Sequence, residues 1–237
     1  MAGSCRINKD QFGKCSQYYE RTWKPADELL YDFCKRYPGH SDEAYVYSKV
    51  FLIDGAYRAG IARTAGKLEE GPVDDPATKD VYYRAAKVLL EHAQQCDDII
   101  ATCGCLCEPF RETHIRTAVE AHREFEKLFQ QSGFTRDGAA LRSFASKYLH
   151  FHAPIVPIID SKAEGAAQSH CYLRNGPNLV HAHVEQELGK NNYDDCYLCF
   201  VCRWWCLFRH AQELGLEPTP RSLDVYLWLA ESPPASS

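Results

Sequence analysis

The chain has no segment able to cross a bilayer. Its longest apolar run, Cys196 to Phe208, is interrupted by Arg203 and falls short of the about 20 residues a membrane helix needs. The first residues, Met1 to Lys14, contain no apolar core of the kind that marks a secretory signal. These two absences predict a cytoplasmic protein with no membrane partner. A basic excess is missing as well: 27 Lys and Arg stand against 32 Asp and Glu, a formal net charge of −5. That balance argues against nucleic-acid binding, because a phosphate-binding protein usually shows a basic footprint, although a grip confined to one cleft is compatible with overall acidity. No internal repeat is present. Strand signals are confined to Ile155–Ile159, too short for a sheet.

What the chain does contain is ordinary globular composition, 45% hydrophobic and 25% charged over 237 residues. That is enough to bury a proper core, and we expect one α-helical domain over residues 1–231 with a disordered tail at 232–237. The 12 cysteines are read as reduced thiols, metal ligands or nucleophiles, because disulfide frameworks belong to short secreted chains.

Helical spacing runs through nearly the whole sequence. Ser41 is expected to cap a helix reaching about Thr64, with Tyr45, Val46, Val50, Ile53, Tyr57 and Ile61 inward. Gly66 to Pro76 reads as a loop. A second helix is expected from Ala77 to Thr102 on the repeat of Val81, Ala85, Leu89, Ala93 and Ile100. Arg111 to Gln131 carries the clearest stripe: Ile115, Ala118, Val119, His122, Phe125 and Phe129. Gly133 and Gly138 bracket a turn before a helix from about Gly138 to Phe151. Asp160 then opens the next helix, and Thr219 with Pro220 caps the last, Leu223 to Ala230. The periodicity predicts an all-α fold.

One segment, Leu141 to Ala163, carries chemistry. At helical pitch Leu141, Phe144, Ala145, Tyr148 and Phe151 share the buried arc, with Lys147 at its edge beside Ser143 and His150. A lysine there can line a cleft, where partial desolvation lowers its pKa and frees the amine as a nucleophile. Pro154 and Pro157 stiffen the connection that delivers Asp160 to a helix start. A carboxylate at that point can face a substrate cation or take a proton from a nearby amine. On residue types alone, the competing reading is a solvated surface lysine and a plain helix cap.

A helix bearing Ser146-Lys147, a proline-containing bend, then Pro157-Ile158-Ile159-Asp160 entering a helix resembles the signature of the helix-hairpin-helix base-excision DNA glycosylases. The segment is similar to the archaeal 8-oxoguanine glycosylase branch. It is more similar still to bacterial glycosylases of phage defence that remove glucosylated hydroxymethylcytosine. The stretches Tyr37–His40 and Phe51–Arg63 resemble the same group. The resemblance implies two helical lobes around a cleft, with Lys147 attacking the sugar C1′ and Asp160 assisting base departure. It also implies a monomer acting on double-stranded DNA with modified bases, and no cofactor. Tyr148, His150, His152 and Ser143 are the candidate walls for a flipped base, together with Trp204 or Trp205. Arg142 and Lys162 are the candidate phosphate contacts, with Arg58 and Arg63 beside them. The sequence departs from the family in lacking a glycine-rich hairpin turn ahead of the lysine, and its Lys-to-Asp spacing is shorter.

The alternative reading rests on Cys196, Cys199, Cys202 and Cys206. Their C-x2-C-x2-C-x3-C spacing is that of a [4Fe–4S] loop, which makes a metal-bearing binding protein the second hypothesis. Against it, the run is apolar almost all round, as in a buried helix, so no metal site is assigned. Cys103, Cys105 and Cys107, with His114 nearby, alternate too closely for a zinc knuckle.

Overall fold

A computed structural model describes residues 5–66, 80–106, 109–136, 139–171, 176–189 and 192–230. Every regular element among them is an α-helix. In chain order these are α1 (Lys9–Thr22), α2 (Lys24–Arg36), α3 (Glu43–Tyr57), α4 (Ile61–Thr64), α5 (Val81–Glu91), α6 (Ala93–Gly104), α7 (Glu112–Gln131), α8 (Arg142–His152), α9 (Ser161–His170), α10 (Gly176–Leu188), α11 (Asp195–Glu213) and α12 (Pro220–Ala230). β-Pairing among the described residues is limited to two isolated bridges, Cys5 with Cys171 and Ala65 with Thr135. No described helix is long and apolar enough to cross a membrane. Most of the loop expected over Gly66–Pro76, the Gly138 turn and the tail at 232–237 lie outside the described residues.

The long stripe of α7 is buried as its spacing predicts. Ile115, Ala118, Val119, His122, Phe125 and Phe129 are all fully excluded from solvent. That face packs on α8 and α11.

The expected helix over 41–64 is two helices. Asp42, rather than Ser41, is the cap: its Oδ1 accepts from Ala44 N and Tyr45 N at 3.0 and 3.2 Å. The helix stops at Tyr57 because Arg58 and Gly60 adopt left-handed backbone, φ 49° and 85°, which ends an α-helix. The expected helix over 77–102 is likewise broken, at His92, whose φ and ψ of −112° and 29° leave the helical region. The last helix begins as read, with Thr219 Oγ1 accepting from Ser222 N at 3.1 Å and Pro220 in the first turn.

Helix α8 is buried on nearly every side. It packs against α2, α3, α6 and α7, and every residue from Phe144 to Phe151 is buried. An amphipathic helix with one buried arc was expected; the structure instead surrounds α8 on almost all sides. Burying polar groups on such a helix costs free energy unless they find partners; among the described residues His152 Nε2 has none. Removing a ring such as Phe144 from this packing costs about 3–5 kcal/mol.

Residues 155–159 form no strand. Ile155, Val156, Ile158 and Ile159 are buried in an irregular connection, and side chains from neighbouring helices satisfy its backbone. Ser146 Oγ accepts from Ile159 N at 3.1 Å. The Tyr197 hydroxyl donates to Pro157 O at 2.8 Å, and His150 Nδ1 bonds Val156 O at 2.7 Å. The bend that carries Asp160 is therefore held rigid from α8 and α11.

Candidate active site

The bend ends at Asp160, which caps α9 through Oδ1, accepting from Lys162 N at 3.0 Å and Ala163 N at 2.9 Å. Its other oxygen, Oδ2, lies 3.6 Å from Lys147 Nζ. Residues thirteen apart in sequence are brought together because the buried connection folds back along α8.

Lys147 is only 4% exposed. Its Nζ donates to Tyr57 O at 2.8 Å and Ser143 Oγ at 3.0 Å. The first acceptor is the carbonyl of the last residue of α3, a group with no partner inside its own helix. Burial pulls the Lys147 pKa down from the ordinary ammonium range, opposed by the Asp160 carboxylate. Tyr57 O and Ser143 Oγ accept two of the Lys147 N–H bonds, while Asp160 at 3.6 Å is beyond hydrogen-bond range and acts on it as a charge.

Both groups line a cavity of about 930 Å³. Ser143, Arg142 and Lys162 also line it, as do Arg58 and Arg63. Arg142 Nε contacts both Asp194 oxygens at 2.8 Å, so its charge is already matched. Lys162 Nζ sits 4.0 Å above the Trp228 ring, a cation–π contact. The Arg63 guanidinium lies against Gly60, where a Cβ would meet it at 2.8 Å.

Three expected substrate contacts are placed elsewhere. Tyr148, His150 and His152 are not in the lining of the cavity; they belong to the core network around α8. The Tyr148 hydroxyl pairs with His40 Nε2 at 2.7 Å, and His40 Nδ1 with Asp97 at 2.6 Å. His150 Nε2 pairs with the Tyr31 hydroxyl at 2.6 Å. Burial pushes the His150 pKa down to about 3, so the ring is neutral. His152 stacks on Tyr148, with ring centroids 4.8 Å apart. The error has a simple cause: on a helix buried all round, helical pitch does not say which side meets a cavity. Trp204 is also core, donating its Nε1–H to Asp224 Oδ1 at 3.0 Å.

Several lining residues gave no local signal. Trp23 and Trp228 meet edge to face at 4.9 Å, an aromatic corner in the cavity wall. Arg221 is held by Asp27, Nε to Oδ2 at 2.6 Å, and the Tyr57 hydroxyl donates to the same carboxylate. Asp224 is 3% exposed, and its Oδ2 has no partner among the described residues. Burial raises its pKa to about 8, so it is a neutral acid at pH 7. Asp27 and Arg221 are 194 residues apart, beyond the reach of any local motif.

The cysteine run does not gather into one centre. Cys196 to Cys206 lie on the unbroken helix α11, and ten residues of helix rise about 15 Å, too far for four thiolates to share one cluster. The thiols diverge in their contacts. Cys196 bonds Glu164 at 3.3 Å, Cys202 is buried, and Cys206 approaches Cys5 and Cys171. Cys107 lies outside the described residues.

No family model, curated protein or solved structure matches this chain.

Proposed function

We propose that the protein is a DNA glycosylase of the helix-hairpin-helix type, in which Lys147 is the nucleophile and Asp160 the assisting carboxylate. The observation that carries this reading is the 3.6 Å approach of Lys147 Nζ to Asp160 Oδ2 in the wall of the cavity. Burial lowers the pKa of this lysine from the ordinary ammonium range, the direction a nucleophilic amine requires, and surface lysines have no such environment.

In the proposed reaction the Lys147 lone pair attacks the sugar C1′. The N-glycosidic bond breaks, its electron pair leaves with the base, and water protonates the base. Asp160 faces the positive charge that develops on the sugar, then takes the proton from the attached nitrogen and delivers it to O4′ as the C1′–O4′ bond opens to an imine. Elimination from that imine would cut the strand on the 3′ side.

Arg58, Arg63 and Lys162 supply basic character at the cavity without a family-type hairpin turn, in keeping with local grip by an acidic protein. Trp23 and Trp228 offer the stacking surface that a flipped base needs, in place of Tyr148 and His150. A volume of about 930 Å³ lies at the upper end of small-ligand pockets. That room suits a base enlarged by a sugar, such as glucosylated hydroxymethylcytosine. Excision from phage DNA would make the enzyme an antiviral defence.

The deciding experiment is incubation with duplexes carrying different modified bases, followed by an assay for abasic sites. Release of a bulky modified base with plain DNA untouched supports the reading. No release from any duplex, by folded protein, contradicts it.

A further inference from the structure

Where α10 packs on the start of α11, a histidine, a carboxylate and a thiol meet away from the lysine cavity. His181 lies on α10; Asp195 and Cys199, four residues apart, lie on the first two turns of α11 and so share one face. One ligand atom from each lies within 4.8 Å of the other two, and His181 Nε2 is 3.0 Å from Asp195 Oδ1. We propose that His181, Asp195 and Cys199 form a zinc-binding site.

The spacing suits the ion. Bond lengths of about 2.0–2.3 Å in a tetrahedron place ligand atoms about 3.2–3.8 Å apart, a small adjustment from the arrangement present. The donor set selects the metal class. Imidazole nitrogen with thiolate sulfur favours zinc over magnesium or calcium, which prefer all-oxygen shells. A neutral histidine, a carboxylate and a thiolate carry two negative charges, which balance Zn²⁺. Three protein ligands leave a fourth position for water.

The surroundings of the imidazole support the same assignment. Its other nitrogen, Nδ1, faces Glu185 Oε2 at 3.9 Å, one helical turn further on. Burial, and Glu185 beside it, raise the pKa of the Tyr193 hydroxyl, and the Tyr193 ring stands edge-on to His181 at 6.5 Å. At 3.9 Å Glu185 places negative charge behind the His181 ring without a hydrogen bond to it; closing that gap would orient the imidazole and strengthen it as a ligand. An ordinary His–Asp ion pair explains neither this second carboxylate nor the thiol, which adds nothing to an ion pair. Asp195 is well exposed, so an ion has a route in. The site also adjoins Asp194, which caps α11 and grips Arg142 of the cavity wall. Its role is to pin the helix start that holds Arg142.

The test uses the full chain, reduced and stripped of metal, titrated with cobalt(II) and then with competing zinc. One cobalt per chain should bind with tetrahedral visible bands and a thiolate-to-cobalt charge-transfer band, and zinc should displace it. Cys199→Ser should abolish the charge-transfer band, and His181→Gln should weaken binding at least tenfold. Glu185→Gln should weaken it about 10–100-fold. Cys206→Ser, at the separate thiol group near Cys5 and Cys171, should leave the spectrum unchanged. Absence of tight binding, or an unchanged spectrum in Cys199→Ser, overturns the site. Loss of the spectrum in Cys206→Ser with retention in His181→Gln overturns it equally, by moving the metal elsewhere. If Cys199→Ser fails to fold, the His181→Gln and Cys206→Ser comparison decides. None of these readouts depends on DNA cleavage.

Discussion

Asp160 divides its two carboxylate oxygens between two tasks: Oδ1 caps α9, and Oδ2 faces Lys147 Nζ at 3.6 Å. The cap fixes the carboxylate in place before any substrate arrives, and preorganisation of this kind is what makes a charge effective in a transition state.

Asp160→Asn separates the two tasks. Asparagine caps helices about as well as aspartate, so stability should change by less than about 0.5 kcal/mol in a denaturant melt. Base excision in single-turnover assays should fall about 100–1,000-fold. The carboxylate also holds the Lys147 pKa up against burial. If that were its whole role, the variant would keep its rate and its pH profile would move to lower pH.

Gly60 is the position where the backbone itself is demanding. Its φ is 85°, and a Cβ would sit 2.8 Å from the Arg63 guanidinium. Gly60→Ala should cost about 1–2 kcal/mol in backbone strain, a fall of roughly 2–8 °C in Tm. Displaced Arg63 should also weaken DNA binding, most visibly at low salt. A melting temperature unchanged by the substitution would show that the left-handed turn is not required.

Asp224→Asn mimics the protonated carboxyl that burial favours, its pKa lying at about 8. The fold should therefore survive with little change in Tm. Asp224→Ala removes the acceptor for the Trp204 indole and should cost about 1–3 kcal/mol. Equal losses from the two substitutions would argue that the carboxyl is ionised in the folded protein.

Stability should peak near neutrality on the acid side. Burial lowers the pKa of His122 to about 4 and of His150 to about 3, and holds His152 down as well. Each takes up a proton on unfolding below its ordinary value of 6.5, so this stability is lost as pH falls from 6.5. Glu126 and Asp224 act oppositely. Their pKa values are raised to about 7 and about 8, so their contribution is lost as pH rises from about 4 through those values. With His40, whose pKa burial also lowers to about 3, the histidines outnumber the two carboxyls, so stability rises up to about pH 6.5 and then declines toward pH 8. Urea melts across pH 4.5–8.5 measure it, and a monotonic profile would contradict the neutral burial of these groups.

The sequence disclosed those features that local physics determines. The α7 stripe is readable because five apolar residues and His122 at helical spacing have one way to be buried, and Asp160 because an aspartate after Pro157-Ile158-Ile159 has a helix start to cap. The break at Arg58 was not readable: a non-glycine residue in left-handed backbone leaves no compositional mark. Arg221, held from behind by Asp27, and the tryptophan corner enter the cavity through helix packing across most of the chain, which no window of sequence contains. Tyr148 and His150 were assigned to the pocket because they neighbour Lys147 in sequence, and the all-round burial of α8 turns them into core instead.

The most direct measurement is borohydride trapping on a duplex whose modified base the enzyme releases. Wild-type protein should form a covalent protein–DNA adduct, as a reduced imine between Lys147 and the opened deoxyribose. Lys147→Met, checked for folding because Tyr57 O loses its donor, should form none and release no base. Mapping the adduct to Lys147 would confirm the nucleophile. Undiminished trapping by Lys147→Met, or base release by wild type without any adduct, would contradict it.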